Sequence, residues 1–391
     1  MSADDEGPGG RPSELRRAVG VNAPGIPFFA GAREMAVHGA GHLEAMASAL
    51  AQGRALQGPQ VAELEERLAS LCGRAHAVAV GSCTDALFFA LAAHGIGAGD
   101  EVLVPAFSFI ATASCIVRAG ARPVFVDVDA AGLLDLHAAA AACGPRTRAI
   151  LAVQLYGQML DPADLEAFAA ERELVLVEDA AQAFGAAAGG RPAGSVGRAS
   201  CLSFDPTKTV SAPGSGGAVL CDDEDLAGRL RRLRWHGRDA EGRFAELGYN
   251  SQLPTASAAV LLRKLDLDPA WTLRRRAIAA QYDAALDGTP AQPIGVLPGR
   301  SHVFHKYVVR VPAAARDRLR TQLAEQGIPT LVHYAVPLPR QPLFGPDGAS
   351  AVVPGAEALS REVVSLPIHA LLEDHEVMRI AAAVRQAATG S

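Results

Sequence analysis

Short, continuous apolar runs alternate with longer amphipathic stretches between residues 60 and 220, and this alternation constrains the fold more than any other feature. The runs are AHAVAV, EVLVP, PVFVDV, AILAVQ, LVLVED and ASCLSF, separated by stretches such as VAELEERLASLC and DALFFALAAHG. The amphipathic stretches have helical periodicity, and an uninterrupted apolar run is typical of a strand buried on both faces. The pattern predicts an α/β unit in which helices cover a mostly parallel sheet.

A change of pattern after residue 265 indicates a second, smaller unit. The long helical stretch TASAAVLLRKLDLDPAWTLRRRAIAAQYDAAL is followed by strand-like runs, KYVVRV and TLVHYAV, around the helical ARDRLRTQLAEQG. We therefore expect a large α/β domain over 25–265 and a small α+β domain over 266–391. Residues 1–24 are acidic at the start and rich in Gly and Pro, which predicts a disordered tail.

Charge and cysteine usage exclude several classes of function. The chain has 36 Lys and Arg against 42 Asp and Glu, a net charge of −6, and no segment concentrates the basic residues. We therefore expect no nucleic-acid partner and no anionic membrane surface. No apolar stretch approaches the about 18 residues that a membrane-spanning helix needs. The six cysteines occur singly and lack metal-ligand spacing, so we expect no metal, reduced thiols and a cytoplasmic protein.

The first candidate site follows the strand-like run that ends at Val80. Gly81, Ser82, Cys83 and Thr84 turn the chain, and a helix is predicted from about Asp85. Free backbone N–H groups and hydroxyls at such a turn can hold a phosphate. The alternative is an ordinary helix start with Thr84 as the N-cap.

The second candidate site is the run LVLVED, which delivers Glu178 and Asp179 to the end of a buried strand. Carboxylates in such a place are costly unless they have a partner, and a cationic ring nitrogen would be one. The small residues Ala180 and Ala181 would let a flat ring lie close. The alternative is that Asp179 caps the next helix.

The third candidate is Lys208, which follows the run ASCLSF and precedes the glycine-rich SAPGSGG. A lysine on a loop is usually a surface residue. A desolvated amine near another cation, however, has a lowered pKa and can form a Schiff base with an aldehyde. A phosphate-binding turn, a carboxylate for a ring nitrogen and such a lysine together predict a pyridoxal 5′-phosphate site.

The chain resembles the DegT/DnrJ/StrS family of sugar aminotransferases from about residue 25 to 385. The stretches that carry the resemblance include AVGSCTDALFFALAAHGIGAGDEVLVPAFSFIATASCIVRAGARPVFVDVD, LYGQMLDPADLEAFA, VEDAAQAFGA, LSFDPTKTVSAPGSGGAVL, GYNSQLPTASAAVLLRKL and VVSLPIH. The resemblance implies the type I fold of pyridoxal phosphate-dependent transferases, with a large and a small domain. It also implies a homodimer with two shared active sites.

The resemblance assigns roles to individual residues. Lys208 matches the lysine that forms the internal aldimine, and Asp179 the carboxylate that pairs with the pyridinium nitrogen. Gln182 matches the residue near the phenolic oxygen of the cofactor, and Phe109 the aromatic that stacks on its ring. The residues that match the phosphate-binding site are Ser82, Cys83, Thr84 and Ser203. Asn250 matches an asparagine that reaches the phosphate of the neighbouring subunit. The residues that match the substrate side of the site are His305, Tyr307, His333 and Tyr334. For each histidine, a packed and hydrogen-bonded imidazole is the alternative.

Several positions depart from the family pattern near the expected substrate entrance. Cys83 stands where the family often has glycine, and Gln252 where it usually has arginine. Further departures occur at Pro254, Ser257, Ala335 and Pro339. These departures weaken the prediction of a substrate more than the prediction of the cofactor. At position 83 the expected contact comes from the backbone N–H, which the change of side chain to cysteine leaves in place.

The sequence thus predicts an aminotransferase that converts a keto-sugar, linked to a nucleotide, to an aminosugar. Glutamate or glutamine is the expected amino donor, in a ping-pong cycle through Lys208. A keto-cyclitol acceptor, as in aminoglycoside biosynthesis, is the closest alternative. A sugar dehydratase of the same family typically replaces the lysine by histidine, so Lys208 opposes it. A catalytically silent relative with a regulatory role is the alternative from another class, and the retained Lys208, Asp179 and Gln182 oppose it.

Overall fold

The protein's architecture is given by a computed structural model that describes residues 25–390; the predicted tail, 1–24, lies outside the described residues. The helices are α1 Gly31–Ala51, α2 Pro59–Cys72, α3 Cys83–Ala93, α4 Ile110–Arg118, α5 Leu136–Ala142, α6 Pro162–Glu171, α7 Glu224–Leu233, α8 Thr255–Leu286, α9 Ala313–Glu325, α10 Gly345–Ala349, α11 Pro354–Glu362 and α12 Asp374–Thr389. The strands are β1 His76–Val80, β2 Glu101–Pro105, β3 Arg122–Val126, β4 Thr147–Val153, β5 Val175–Asp179, β6 Ala187–Ala188, β7 Arg191–Pro192, β8 Ala199–Ser203, β9 Gly217–Cys221, β10 Gln292–Pro293, β11 Arg300–Ser301, β12 Tyr307–Arg310 and β13 Val363–Leu366. Short 3₁₀ turns occur at Leu155–Gly157, Leu338–Arg340 and Pro342–Phe344.

A seven-stranded sheet in the order β1-β9-β8-β5-β4-β2-β3 forms the centre of the large unit. β9 pairs antiparallel with both β1 and β8, and all the other pairs are parallel. Each of the six predicted apolar runs contains one of the parallel strands, which confirms the predicted α/β class. β9 was not predicted, because its five residues follow a glycine-rich loop that obscures the pattern.

The parallel arrangement determines where polar residues meet. Six strands end at the same edge of the sheet, and the segments after β1, β2, β5 and β8 begin there. Ligands of open α/β sheets bind at this edge, outside the carboxyl ends of the strands. All three candidate sites from the sequence therefore lie at one edge.

The small unit contains the three-stranded sheet β10-β12-β13, packed with α9 and α12. The predicted run KYVVRV contains β12, but TLVHYAV does not form a strand. Leu331 makes only an isolated bridge to Ser365, and the chain then turns at His333 and Tyr334. The turn brings these two side chains to the large unit instead of extending the small sheet.

The 32-residue helix α8 runs through the predicted domain boundary at residue 265. Its first half contributes Leu261 and Leu265 to the core of the large unit. Its second half contributes Ile278 and Tyr282 to a separate core around β12 and β13. The change from one core to the other therefore lies inside a continuous helix, and the division at 265 stays a prediction.

Features that would indicate other chemistry are absent from residues 25–390. None of the helices there has the length and apolar character needed to cross a membrane. No group of three or more His, Cys, Asp or Glu side chains in this range is arranged to hold a metal ion. All six cysteines are free thiols.

A buried ion pair joins α1 to α8 beneath the loop that carries Lys208. Lys264 on α8 pairs with Glu34 on α1, and its ammonium donates a hydrogen bond to Ser211 over 2.9 Å. Lys264 is buried, so its removal leaves the Glu34 carboxylate without its cation in a poorly solvated place. We expect Lys264→Met to lower the free energy of unfolding by about 3–5 kcal/mol, measured by urea denaturation.

The double variant Glu34→Leu with Lys264→Met is the control for this prediction. It removes both charges, so we expect its stability to lie close to that of the wild type. A single variant as stable as the wild type would show that the pair is not held in solution.

Candidate active site

A cavity of about 390 Å³ at the carboxyl edge of the large sheet brings together all the predicted site residues except Asn250 and Tyr307. The predicted residues that line it are Ser82, Cys83, Thr84, Phe109, Asp179, Gln182, Ser203, Lys208, His305, His333 and Tyr334. Phe29, Thr112, Asp205, Thr207 and Lys306 are among its further lining residues. These residues come from seven separate parts of the chain, and the sheet and the small unit place them side by side.

The turn after β1 forms one end of the cavity. Ser82, not Thr84, is the N-cap, since its hydroxyl accepts a hydrogen bond from the N–H of Asp85 over 3.1 Å and α3 begins at Cys83. The N–H groups of Cys83 and Thr84 lie in the first turn, where no helix carbonyl is available to them. Burial raises the pKa of the Cys83 thiol well above its ordinary value, so the thiol stays neutral. This end of the cavity can therefore receive an anion.

The neighbouring strand β9 fits closely against this turn. A Cβ at Gly217 would lie 2.6 Å from the backbone nitrogen of Cys83. A residue without a side chain is needed there for β9 to pack against the start of α3. The missed strand β9 therefore contributes to the shape of the anion-binding turn.

Asp179 is the last residue of β5, flanked by β4 and β8, and its side chain is 4% exposed. Its Oδ2 accepts a hydrogen bond from the Thr112 hydroxyl over 2.9 Å, and its Oδ1 accepts one from the N–H of Ala181 over 3.1 Å. Burial raises the pKa of the Asp179 carboxyl, while these hydrogen bonds and the Lys208 ammonium act in the opposite direction. A carboxylate in such a place favours a cationic partner in the cavity.

Glu178 does not share this role, because successive side chains of a strand point to opposite faces. Its Oε1 accepts a hydrogen bond from Gln154 over 2.9 Å, and its Oε2 accepts the N–H groups of Gly194 and Val196. These partners lie on the far side of the sheet from the cavity. Of the two predicted carboxylates, only Asp179 lines the cavity.

Lys208 lies on the loop after β8 and is half-buried. A turn orders the preceding residues: Asp205 accepts hydrogen bonds from the N–H and the hydroxyl of Thr207, and its carbonyl accepts the N–H of Lys208. Burial lowers the pKa of the Lys208 ammonium, and the negative charges of Asp179 and Asp205 offset part of this effect. A larger share of the amine is thus neutral, the state in which it is a nucleophile and a base.

Gln182 is held by two hydrogen bonds. Its Oε1 accepts from the N–H of Tyr156 over 3.0 Å, and its Nε2 donates to the Tyr334 hydroxyl over 3.1 Å. The Tyr156 hydroxyl donates to the carbonyl of His333, which fastens the turn of the small unit to the large sheet. Phe109 is 55% exposed, with its ring centre 6.4 Å from that of Tyr334. An aromatic face is therefore available to a flat ring.

The two histidines at the cavity are neutral at physiological pH. Burial, with nearby cations, lowers the pKa of His333 to about 3 and that of His305 well below its ordinary value. The Nδ1 of His333 lies 2.8 Å from the Ser365 hydroxyl. His333 is thus both a packed, hydrogen-bonded imidazole and part of the cavity wall.

Tyr307 does not reach the cavity. Its ring packs on Tyr282 in the core of the small unit, and its hydroxyl donates to Asp283 over 2.7 Å. The preceding residue, Lys306, lines the cavity instead. Adjacent residues at the start of a strand point in opposite directions, so a prediction displaced by one residue selects the wrong side chain.

Asn250 also lies away from the cavity of its own chain. It is exposed, it forms an isolated bridge to Trp235, and its side-chain oxygen accepts a hydrogen bond from Gln252 over 3.4 Å. A role for Asn250 requires a second subunit, and it stays a prediction together with the dimer.

A comparison with family models matches residues 38–385 to the DegT/DnrJ/EryC1/StrS aminotransferase family. The chain belongs to this family. The match includes Lys208 and Asp179 and covers both the large and the small unit, so the resemblance noted from the sequence is confirmed.

Individual relatives that match most of the chain include a transaminase and a protein named as a regulator. The chain is 40% identical over 88% of its length to the dTDP-3-amino-3,4,6-trideoxy-alpha-D-glucose transaminase of Streptomyces venezuelae, of which it covers 90%. It is 41% identical over 83% of its length to a pleiotropic regulatory protein of Geobacillus stearothermophilus, of which it covers 88%. The crystal structure of S. venezuelae DesV superimposes with a TM-score of 0.89 at 39% identity, covering 94% of this chain and 99% of that one.

The protein is a pyridoxal phosphate-dependent aminotransferase, and its cavity fits the cofactor. The turn at Ser82–Thr84 would hold the phosphate, and Asp179 would face the ring nitrogen. Phe109 would cover one face of the ring, and Lys208 would bond to the aldehyde carbon. The four groups differ in chemistry and match the four parts of the cofactor.

Two residues that contribute to this site were missed in the sequence. Thr112 was missed because only the packing of α4 against β5 brings its hydroxyl to Asp179. Lys306 was missed although strand alternation offered a signal, since Tyr307 and Lys306 cannot both face the cavity. The sequence alone did not say which of them does.

Proposed function

We propose that this aminotransferase transfers an amino group from L-glutamate or L-glutamine to a keto-sugar linked to a nucleoside diphosphate. The observation that carries the proposal is that Lys208 and Asp179 line one cavity in a chain similar, over nearly its whole length, to a transaminase of a dTDP-linked sugar. The proposed cycle is ping-pong, with donor and acceptor entering the same cavity in turn. The proposed location is the cytoplasm.

The residues of the chain have distinct tasks in this cycle. Pyridoxal phosphate, when bound, supplies an electron sink for the negative charge left on the carbon that loses its proton. The Lys208 amine, once free, takes a proton from the α-carbon of the donor and returns it later in the cycle. Its lowered pKa suits this task, because a neutral amine is the form that accepts a proton. Asp179 would stabilise a protonated ring nitrogen, and Gln182 would orient the oxygen side of the ring.

The substrate proposal is tested with nucleotide-linked keto-sugars. Holoenzyme is incubated with L-glutamate and either dTDP- or UDP-linked 3-keto- and 4-keto-hexoses, and release of 2-oxoglutarate is followed with glutamate dehydrogenase. Turnover of one of these sugars supports the proposal. Turnover of scyllo-inosose without turnover of any nucleotide-sugar would replace it with the keto-cyclitol alternative.

The dimer is proposed together with a role for Asn250 in the partner's site. The chain has a mass of 40.5 kDa, so light scattering of the holoenzyme is expected to give about twice this value. Because Asn250 is exposed and does not line its own cavity, Asn250→Ala is expected to weaken cofactor binding about tenfold through the partner's site, the loss of one hydrogen bond to a charged group. Gln281→Ala, an exposed amide on α8, is the matched control.

Mixed dimers separate a role in the partner's site from one in the same subunit. A dimer of one Lys208→Ala subunit and one Asn250→Ala subunit has both changes in one shared site and neither in the other. We expect it to recover about half the wild-type activity at a cofactor concentration where both parent variants are inactive. No recovery would contradict the sharing of sites.

A further inference from the structure

Lys306, immediately before β12, is a buried lysine at the border of two adjoining cavities. Its side chain is 6% exposed, and it lines both the 390 Å³ cavity and a smaller one of about 40 Å³. The two cavities share Lys208, Phe29 and His305 as lining residues. Lys306 therefore borders the active site where the two cavities meet, with Lys208 among the residues they share.

The ammonium of Lys306 has no acidic partner among residues 25–390. Ion pairs in that part of the chain satisfy other buried cations, such as Lys264 with Glu34, but none includes Lys306. Its Nζ lies instead over aromatic rings, 4.7 Å from the ring centre of Phe29 and 5.8 Å from that of Phe28. Aromatic faces stabilise a cation only partly, and a buried charge is costly unless it is paired.

Neighbouring charges increase this cost. Burial, together with Lys208 and Arg275, lowers the pKa of Lys306 to about 7, and the carboxylate of Asp205 offsets part of the effect. The guanidinium of Arg275 already has protein partners, since its Nη1 donates hydrogen bonds to the carbonyls of Phe304 and Ile368. Glu34 also lines the smaller cavity, but Lys264 pairs with its carboxylate. An anion that entered beside Lys306 would remove the cost of its unpaired charge, so the site favours an anionic ligand.

We propose that Lys306 binds the α-carboxylate of the amino donor. This inference rests on the proposed function. The donor brings its amine to the carbon that Lys208 occupies, and its α-carboxylate is attached to the same carbon as that amine. A cation that borders the cavity next to Lys208 is therefore within reach of this carboxylate.

Position distinguishes this carboxylate from the diphosphate of the acceptor. A nucleoside diphosphate needs more room than the space of about 40 Å³ beside Lys306 offers, whereas a carboxylate is small enough to enter it. Lys306 therefore recognises the amino donor, whose α-carboxylate is next to the reacting carbon, and does not contribute to binding of the keto-sugar. In a ping-pong site that accepts two unlike substrates, such a residue provides specificity for one of them.

The test compares Lys306→Met and Lys306→Arg with the wild-type holoenzyme. Stopped-flow absorbance measures loss of the visible band of the lysine-bound cofactor at increasing L-glutamate. We expect the apparent Kd for L-glutamate to rise about 10- to 100-fold in the Met variant, the range for a hydrogen bond to a charged group. The Arg variant keeps the charge and is expected to stay within a few-fold of the wild type. Arg276→Met, a cation that lines a different cavity, is the matched control.

A second readout does not depend on turnover. Calorimetry measures binding of 4-aminobutyrate, which has an amine and a distal carboxylate but no α-carboxylate, and of 2-oxoglutarate, which has the α-carboxylate. Lys306→Met is expected to weaken binding of 2-oxoglutarate only. Equal weakening of both compounds would assign Lys306 to the distal carboxylate and overturn the proposal. A raised KM for the nucleotide-sugar with unchanged L-glutamate affinity would overturn it in favour of the diphosphate.

The response of the wild-type protein distinguishes a failure of the proposed function from a failure of the proposed role of Lys306. If the wild-type band responds to L-glutamate and the Met variant responds with the same Kd, the role of Lys306 is wrong and the proposed function stands. If the wild-type band responds to no amino acid, both are wrong. An unchanged visible band and melting temperature in the Met variant exclude a loss of folding or of cofactor as the cause.

Discussion

Replacing Lys208 with alanine is expected to lower the rate of transamination by about 10³-fold, within the range for loss of a general acid–base catalyst. The physical reason is that Lys208 lines the cavity and that burial lowers the pKa of its ammonium, so a neutral amine is available there as a base. The visible band of the lysine-bound cofactor is also expected to disappear. The measurements are the absorption spectrum of the purified protein before and after L-glutamate, and the rate of 2-oxoglutarate release.

Two comparisons make this result specific. Lys208→Arg keeps the positive charge but cannot act as the nucleophile, so we expect it to be as inactive as Lys208→Ala. Methylamine supplied in solution is expected to restore part of the activity of the alanine variant, since it replaces the missing base. If wild-type protein shows no response to any amino donor, the regulatory alternative takes the place of the enzyme. A rate of 2-oxoglutarate release in Lys208→Ala close to that of the wild type would show that another base takes the proton.

Replacing Asp179 with asparagine is expected to lower the rate by about 10²- to 10³-fold while leaving the fold intact. The asparagine has the same size, but its single oxygen can accept from Thr112 or from the N–H of Ala181 and not from both. It also cannot stabilise a positive charge on the ring nitrogen. The electron sink is then weaker. The rate of the L-glutamate half-reaction, measured by stopped flow, gives the size of the effect without requiring the sugar substrate.

The stability of the cofactor-free protein is a second measurement, in which we expect Asp179→Asn to raise the value and not to lower it as it lowers the rate. Burial raises the pKa of the folded Asp179 carboxyl, so the folded protein without cofactor loses stability as pH rises through that pKa. At neutral pH we therefore expect Asp179→Asn to raise the melting temperature of the cofactor-free protein. Thr112→Val removes a hydrogen bond that stabilises the Asp179 carboxylate, so we expect it to lower the melting temperature. A destabilised Asp179→Asn variant would show that the carboxylate is structurally stabilising.

The elements predicted well from the sequence are those whose local pattern matches their final environment. The runs EVLVP and LVLVED have uninterrupted apolar centres, VLV and LVLV, because β2 and β5 are covered on both faces. β9 has the same burial but follows a loop of glycines, so its pattern was not separated from the turn. TLVHYAV has strand-like composition, yet packing of Tyr156 and Gln182 against its residues holds a turn in place of a strand.

The same distinction applies to the site. Asp179 and Lys208 were predictable because each stands at the end of an apolar run, where an open α/β sheet collects its ligands. Thr112 carried no local signal, and strand alternation did not say whether Lys306 or Tyr307 faces the cavity, since both roles depend on which distant side chains these residues meet. The assignment of Tyr307 failed for the same reason, because the direction of the strand at that point is set by the second core.

By itself, the sequence determined the fold class, the family and the cofactor, and it predicted the roles of Lys208 and Asp179. The fold class follows from periodicity, the cofactor from side chains at strand ends, and the family from the resemblance of whole motifs; all of these are local properties of the chain. Only the tertiary structure decided that Ser82 is the cap, that Glu178 turns away while Asp179 lines the cavity, and that Lys306 lies unpaired beside Lys208. The pairing and burial of a charge depend on residues far apart in the chain, and no local pattern contains that information.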